Sequence, residues 1–165
     1  MRCEESGSNV SIAASISVII PSYNSASVLT AAIESVASQS YSVDEIIVVD
    51  DGSVDDTRKV CGRSDKRVRY VRQANAGAST ARNTGAANAR GQWLAFLDAD
   101  DVWLPDKLEC QLSALSQHPE AAFCITRAEV GSPGRQCYEG MGWDGSLDPV
   151  EMVRNLLVRN IFTGL

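Results

Sequence analysis

The sequence predicts an α/β domain built on a mainly parallel sheet flanked by helices. Short apolar runs alternate with helix-like stretches from Ile16 onward, the pattern of β-α-β units. Several of those runs are continuous rather than alternating, as in strands covered on both faces. Two of them empty into carboxylates, at Asp50-Asp51 and at Asp98-Ala99-Asp100-Asp101. In a parallel sheet both ends open on one edge, the edge at which open α/β folds hold ligands.

The elements run in order along the chain. Ser17-Val18-Ile19-Ile20 is the first strand, stopped by Pro21 and the polar turn Ser22-Tyr23-Asn24. Val28, Leu29, Ala32, Ile33 and Val36 then recur at helical spacing, with Ser25 or Ser27 available as a cap. Glu45 to Val49 is the second strand, and Asp55 or Asp56 opens a short helix that finishes near Gly62. Val68 to Arg72 alternates apolar with basic residues, which predicts a strand nearer the sheet edge with one wetter face. The stretch from Asn75 to Ala87 consists almost wholly of small residues, so its helix would lie very close to the sheet, entered through Gly77. Trp93 to Leu97 reads as a central strand covered on both faces, and a helix begins at Pro105 with Leu108, Leu112 and Leu115 as its buried stripe. Ala121 to Ile125 reads as a fifth strand, Gly131 to Gly145 as loop, and Asp148-Pro149-Val150-Glu151 as the start of a helix reaching about Arg159.

A chain of 165 residues holds one domain with a real core and is short for two. Residues 1–15, rich in Ser and small side chains, are expected to be a flexible leader, and residues 16–165 the folded domain. The formal charge of −6 argues against a nucleic-acid partner. Cys3, Cys61, Cys110, Cys124 and Cys137 contain no C-x-x-C pair, which predicts reduced, mostly buried thiols in a cytoplasmic protein and no zinc site. No stretch approaches the ~20 apolar residues of a membrane span, and the N-terminus lacks a signal-peptide pattern.

The chemistry lies at the strand ends. If the chain stays extended across its turn, Asp98 and Asp100 point to one side. Two oxygen ligands suit Mg²⁺ or Mn²⁺, which keep water and phosphate oxygens in their other positions. An isolated D-x-D is as well explained by an acidic turn capping the next helix, and Asp50-Asp51-Gly52-Ser53 by a plain turn. Tyr23 could offer a flat face to a nucleobase, and Arg82, a long cation in a small-residue helix, could reach a diphosphate or simply extend to water.

Four blocks, Val18-Ile19-Ile20-Pro21-Ser22-Tyr23-Asn24, Glu45-Ile46-Ile47-Val48-Val49-Asp50-Asp51-Gly52-Ser53, Ala81-Arg82-Asn83-Thr84-Gly85 and Phe96-Leu97-Asp98-Ala99-Asp100-Asp101, occur in the order and spacing of family 2 glycosyltransferases. The chain resembles that family from about Ser17 to its C-terminus. The resemblance implies a GT-A, Rossmann-like fold, a nucleotide-diphospho-sugar donor, first of all a UDP-sugar, and inverting transfer to a carbohydrate or lipid-linked acceptor. It implies that Pro21, Tyr23, Asn24 and Asp50 or Asp51 line the base pocket and that Arg82 lies near the nucleotide. Asp98 would face the ribose and the metal, and Asp100 would be the principal metal ligand, with Mg²⁺ or Mn²⁺ as cofactor. It further implies a cytoplasmic protein, with peripheral association at the cytosolic membrane face.

A general base must take the acceptor proton. The resemblance puts it beyond Leu165, with Asn160 to Gly164 beginning the acceptor half, so an acceptor half left incomplete and a donor-binding remnant without turnover is the rival expectation. Apolar surface near Leu156, Leu157, Ile161 and Phe162 would then favour self-association. A further alternative is a haloacid-dehalogenase-like phosphatase, since Asp98-Ala99-Asp100-Asp101-Val102 fits a D-x-D-x-[TV] pattern with Asp98 as nucleophile.

Overall fold

The computed structural model describes residues 14–119, 121–126, 129–130 and 138–139. The chain divides into two compact units, Met1–Cys124 and Ile125–Leu165. In the first unit β1 (Ile16–Ser22), β2 (Glu45–Asp50), β3 (Val68–Arg72) and β4 (Trp93–Phe96) form one sheet in the order β3-β2-β1-β4. Every pairing in it is parallel, with Ser17 against Glu45, Ile46 against Val68 and Ile16 against Trp93. Helices α1 (Leu29–Ala37), α2 (Thr57–Cys61), α3 (Ala78–Asn88) and α4 (Lys107–Gln117) alternate with the strands. In the second unit β5 (Glu129–Val130) pairs antiparallel with β6 (Tyr138–Glu139), Val130 lying against Tyr138.

The continuous apolar runs of β1 and β2 are explained by burial on both faces. Val18, Ile20, Ile46 and Val48 face one layer with Leu29, Ala32, Ile33 and Val36 of α1 and Leu108 and Leu112 of α4. Ile19, Ile47 and Val49 face the other layer, where Ala81 of α3 packs. Small residues let α3 come down onto the strands. A Cβ on Gly85 would lie 2.3 Å from Ile19 Cγ2. Gly77 precedes the helix at φ 89°, a conformation that L side chains rarely adopt.

Several expectations change. The strand Trp93 to Phe96 is not central: among the described residues it is an edge of the sheet. Trp93, Ala95, Leu97 and Ala99 belong to the α1–α4 core, whereas Leu94 and Phe96 are 42% and 47% exposed. Residues 121–126 form no strand. Neither serine caps α1 with its side chain; instead Ser25 O accepts from the amides of Val28 and Leu29. At α2 the N-cap residue Asp56 makes no side-chain cap bond, and Asp55, one residue earlier, accepts from Thr57 N through its Oδ1 at 3.0 Å. Ala14, assigned to the leader, is buried, and its N–H donates to Tyr41 Oη at 2.9 Å. Cys61 is a buried free thiol pushed up to about 11 by burial and then by the Asp50 charge. Cys110 is disulfide-bonded, against the expectation of reduced thiols throughout.

No helix among the described residues is long and apolar enough to cross a membrane. The helix expected from Asp148 to Arg159 and the segment after Asn160 lie outside the described residues.

Candidate functional site

Alternation carried past the end of β2 sends Asp50, its last residue, and Asp51, the next one, to opposite faces of the sheet. Asp50 turns to the α1–α2 side and is fully buried. It accepts from Ser53 N at 2.8 Å, from Arg72 Nη1 at 3.2 Å and from the Tyr70 hydroxyl. Asp51 turns to the α3 side and is 4% exposed. Its Oδ1 accepts from Gln73 Nε2 at 2.7 Å and Ala76 N at 2.9 Å, and its Oδ2 from Gly77 N at 2.8 Å. Burial alone would raise both carboxyls. Hydrogen bonds from Ser53 and Tyr70, with the Arg72 charge, hold Asp50 below the ordinary carboxylate range, and those from Ala76, Gln73 and Gly77 do the same for Asp51.

The end of β4 is built differently. Asp98 continues the α3-side row of Leu94 and Phe96, and Arg82 Nη2 meets its Oδ1 at 2.5 Å. Both partners are largely covered, with 17% of the Arg82 and 28% of the Asp98 side chain exposed. The chain then turns rather than staying extended, with Asp101 N donating to Asp98 O at 3.1 Å, so the parity argument does not carry on to Asp100. Asp100 and Asp101 are exposed. Asp101 is pushed up by burial of its carboxyl and then by the charges of Asp100 and Asp98, which places three carboxylates within electrostatic reach of one another.

At the end of β1, Pro21 is buried and Tyr23 is 53% exposed. Asn24 adopts φ 50°, which its short polar side chain tolerates. Its amide donates to Ser53 Oγ at 2.9 Å and its Oδ1 accepts from Val54 N at 2.9 Å, locking the β1 turn to the β2 turn. Helix α3 joins the two acidic ends, since Asp51 holds its entry and Arg82 holds Asp98. Gln73 is a residue that sequence reasoning missed. It donates to Asp51 and leaves its own Oε1 buried without a partner, and no local pattern announces such a contact.

Among the described residues no group of three or more His, Cys, Asp or Glu side chains converges to hold an ion. The donor set at the β4 turn instead fits a cation that takes one or two carboxylates and fills its shell with water and phosphate. Asp98 with the oxygen that Arg82 does not take, and the exposed Asp100, would hold it. A cavity of about 560 Å³ between α1 and α2 includes Thr30, Ile33, Lys59 and Arg63 in its wall and none of the strand-end residues above.

The family model for glycosyl transferase family 2 matches residues 17–161. An uncharacterized glycosyltransferase of Rickettsia felis is 44% identical over 105 residues, covering 62% of this chain and 17% of the relative. The UDP-Glc:alpha-D-GlcNAc-diphosphoundecaprenol beta-1,3-glucosyltransferase WfgD of Escherichia coli is 45% identical over 102 residues, covering 61% of this chain and 40% of WfgD. The crystal structure of S. aureus TarS 1-349 in complex with UDP-GlcNAc superposes with a TM-score of 0.60 at 28% identity, over 64% of this chain and 32% of TarS. The chain therefore spans less than half the length of these relatives, and its parallel sheet with flanking helices is that of the GT-A enzymes.

Proposed function

Because the chain belongs to glycosyl transferase family 2, we propose that it binds a nucleoside-diphosphate sugar at the carboxyl edge of its sheet and serves inverting transfer to an acceptor hydroxyl. One observation carries the reading. An acidic turn stands exposed at the end of β4, with its first carboxylate already held by an arginine from the small-residue helix. A uridine donor is supported by the UDP-Glc in the name of WfgD and by the UDP-GlcNAc bound to TarS.

In this reading the exposed ring of Tyr23, beside Pro21 and Asn24, stacks on the base. Asp50 and Asp51 act from beneath the pocket by holding the β2 turn and the entry to α3. Arg82 keeps Asp98 oriented and lends positive charge near the diphosphate. Asp98 and Asp100 hold Mg²⁺ or Mn²⁺, whose charge, when bound, stabilises the departing diphosphate. As the bond from the anomeric carbon to the diphosphate oxygen breaks, the acceptor oxygen bonds that carbon from the opposite face and gives up its proton to a base. The described residues assign no such base. A lipid-linked acceptor, as in the name of WfgD, would bring the protein to a membrane surface.

The family match over residues 17–161 supports the transferase reading over the phosphatase alternative. Calorimetric titration with UDP and UDP-sugars, with Mn²⁺ and again with chelator, tests the reading. Cation-dependent binding is expected, and absence of binding overturns it. Binding without transfer or donor hydrolysis would mark this chain as a donor-binding unit.

A further inference from the structure

We propose that Gln39 is a positioning residue for the acidic turn of β4, acting on donor and cation binding through the connection between β4 and α4. The proposal rests on the donor-site reading above. Gln39 lies just past α1 and is 8% exposed, a buried amide with both ends in use. Its Nε2 donates to Leu104 O at 2.6 Å and to Ser35 O at 3.1 Å, and its Oε1 accepts from Leu108 N at 3.1 Å. One side chain thus ties the end of α1 to a loop carbonyl and to a first-turn amide of α4 that has no partner within its own helix.

Neighbouring residues reinforce the clamp. Ser35 Oγ accepts from Trp103 N at 3.1 Å, Ser40 N donates to Pro105 O at 2.8 Å, and Ser40 Oγ donates to Glu109 Oε2 at 2.6 Å. The clamped stretch comes directly after Asp98–Asp101. Burial holds it only at two points: Val102 and Leu104 are 64% and 62% exposed, while Trp103 packs against the core and Leu108, in the first turn of α4, is buried in it. Between those two anchors, hydrogen bonds from the end of α1 fix the path of the chain leaving the turn. Loosening them frees Asp98 and Asp100 to spread, which weakens any ligand that needs both carboxylates in place.

The test uses the full chain with Gln39→Met, which fills the volume and removes both hydrogen-bonding ends. Ser35→Ala, which removes the Trp103 contact and the bond from Ser35 Oγ to Ala32 O within α1, supplies a milder variant that keeps the test open if the first does not fold. Amide hydrogen exchange should quicken across residues 98–108 while β1 and β2 stay protected. Affinity for UDP with Mn²⁺ should fall about tenfold in Gln39→Met, the loss expected for one to two hydrogen bonds, and less in Ser35→Ala. Affinity for UDP without the cation should not change. Unchanged exchange at 98–108, or unchanged cation-dependent affinity in a folded variant, overturns the proposal. If the unsubstituted chain binds no UDP with Mn²⁺, the donor-site reading fails and takes the binding role of Gln39 with it, while the exchange data separately decide whether the clamp exists.

Discussion

At the end of β2, Asp50 and Asp51 each accept three hydrogen bonds from within the fold, and both lie buried. At the end of β4, Asp98 meets a single arginine, and Asp100 and Asp101 stand in solvent. Two acidic strand ends on one edge of one sheet have thus gone to different uses. The difference lies in the segment that leaves each strand. After β2 the turn to Ser53 and the stretch from Gln73 to Gly77 return backbone amides to the carboxylates. After β4 the chain turns away towards α4, and its amides bond to Ser35 and Gln39 instead. A carboxylate surrounded by donors is part of the scaffold; one without them keeps lone pairs for a ligand.

Exchanging single residues between these roles should separate binding from stability. Asp100→Ala is expected to give the largest effect. Loss of a cation ligand worth a few kcal/mol lowers cation-dependent nucleotide affinity on the order of 10²-fold, and the urea midpoint barely moves because the side chain is exposed. Asp51→Ala should do the reverse. It strands the Gln73 amide and the Ala76 and Gly77 N–H groups, costing about 2–4 kcal/mol of unfolding free energy. An Asp51→Ala protein as stable as the parent would dissolve the distinction.

That distinction was only partly legible beforehand. The mainly parallel sheet, the close-lying α3 and a place for β3 nearer the sheet edge were legible from residue type: continuous apolar runs, a helix without bulk, and alternating Arg in Val68 to Arg72. The position of β4 was not, because a short run such as Trp93 to Phe96 reads the same with one face covered or two. Its exposure depends on which strand lies beside it. Nor could the motif at Asp50-Asp51 reveal its saturation, since the donors to Asp51 arrive from residues 22 to 26 positions later in the chain. The Asp98–Arg82 contact was not legible either, because a lone arginine among small residues reads equally as reaching a diphosphate or extending to water.

Acid should act on the two ends in opposite senses, and more strongly on the first. Asp50 and Asp51 are held below their ordinary values, as are Glu45 and Asp65, the last chiefly by its hydrogen bonds from Arg67. A lowered folded-state pKa contributes stability that is present above the unfolded value and lost as pH falls through the folded one. The unfolding free energy should therefore decline as pH drops below the ordinary carboxylate values of 3.8 for Asp and 4.5 for Glu. Asp51→Asn should flatten that decline, as tracked by urea titration at a series of pH values.

Asp101 should show the opposite sign and the smallest change. Its carboxyl is raised, by burial and then by Asp100 and Asp98, so the protonated form suits the fold better than the charged one. The stability it contributes is complete below its unfolded value of 3.8 and is lost as pH rises through the raised folded value. At neutral pH the charge is thus a mild strain on the turn, and Asp101→Asn should raise the unfolding free energy slightly, by less than about 0.5 kcal/mol for so exposed a group, and the urea midpoint with it. The same substitution should weaken Mn²⁺-dependent UDP binding only modestly, since it removes field but neither Asp98 nor Asp100. A midpoint lowered by Asp101→Asn would mean that this carboxylate, like those of β2, has donors of its own, and the contrast between the two strand ends would then stop at Asp100.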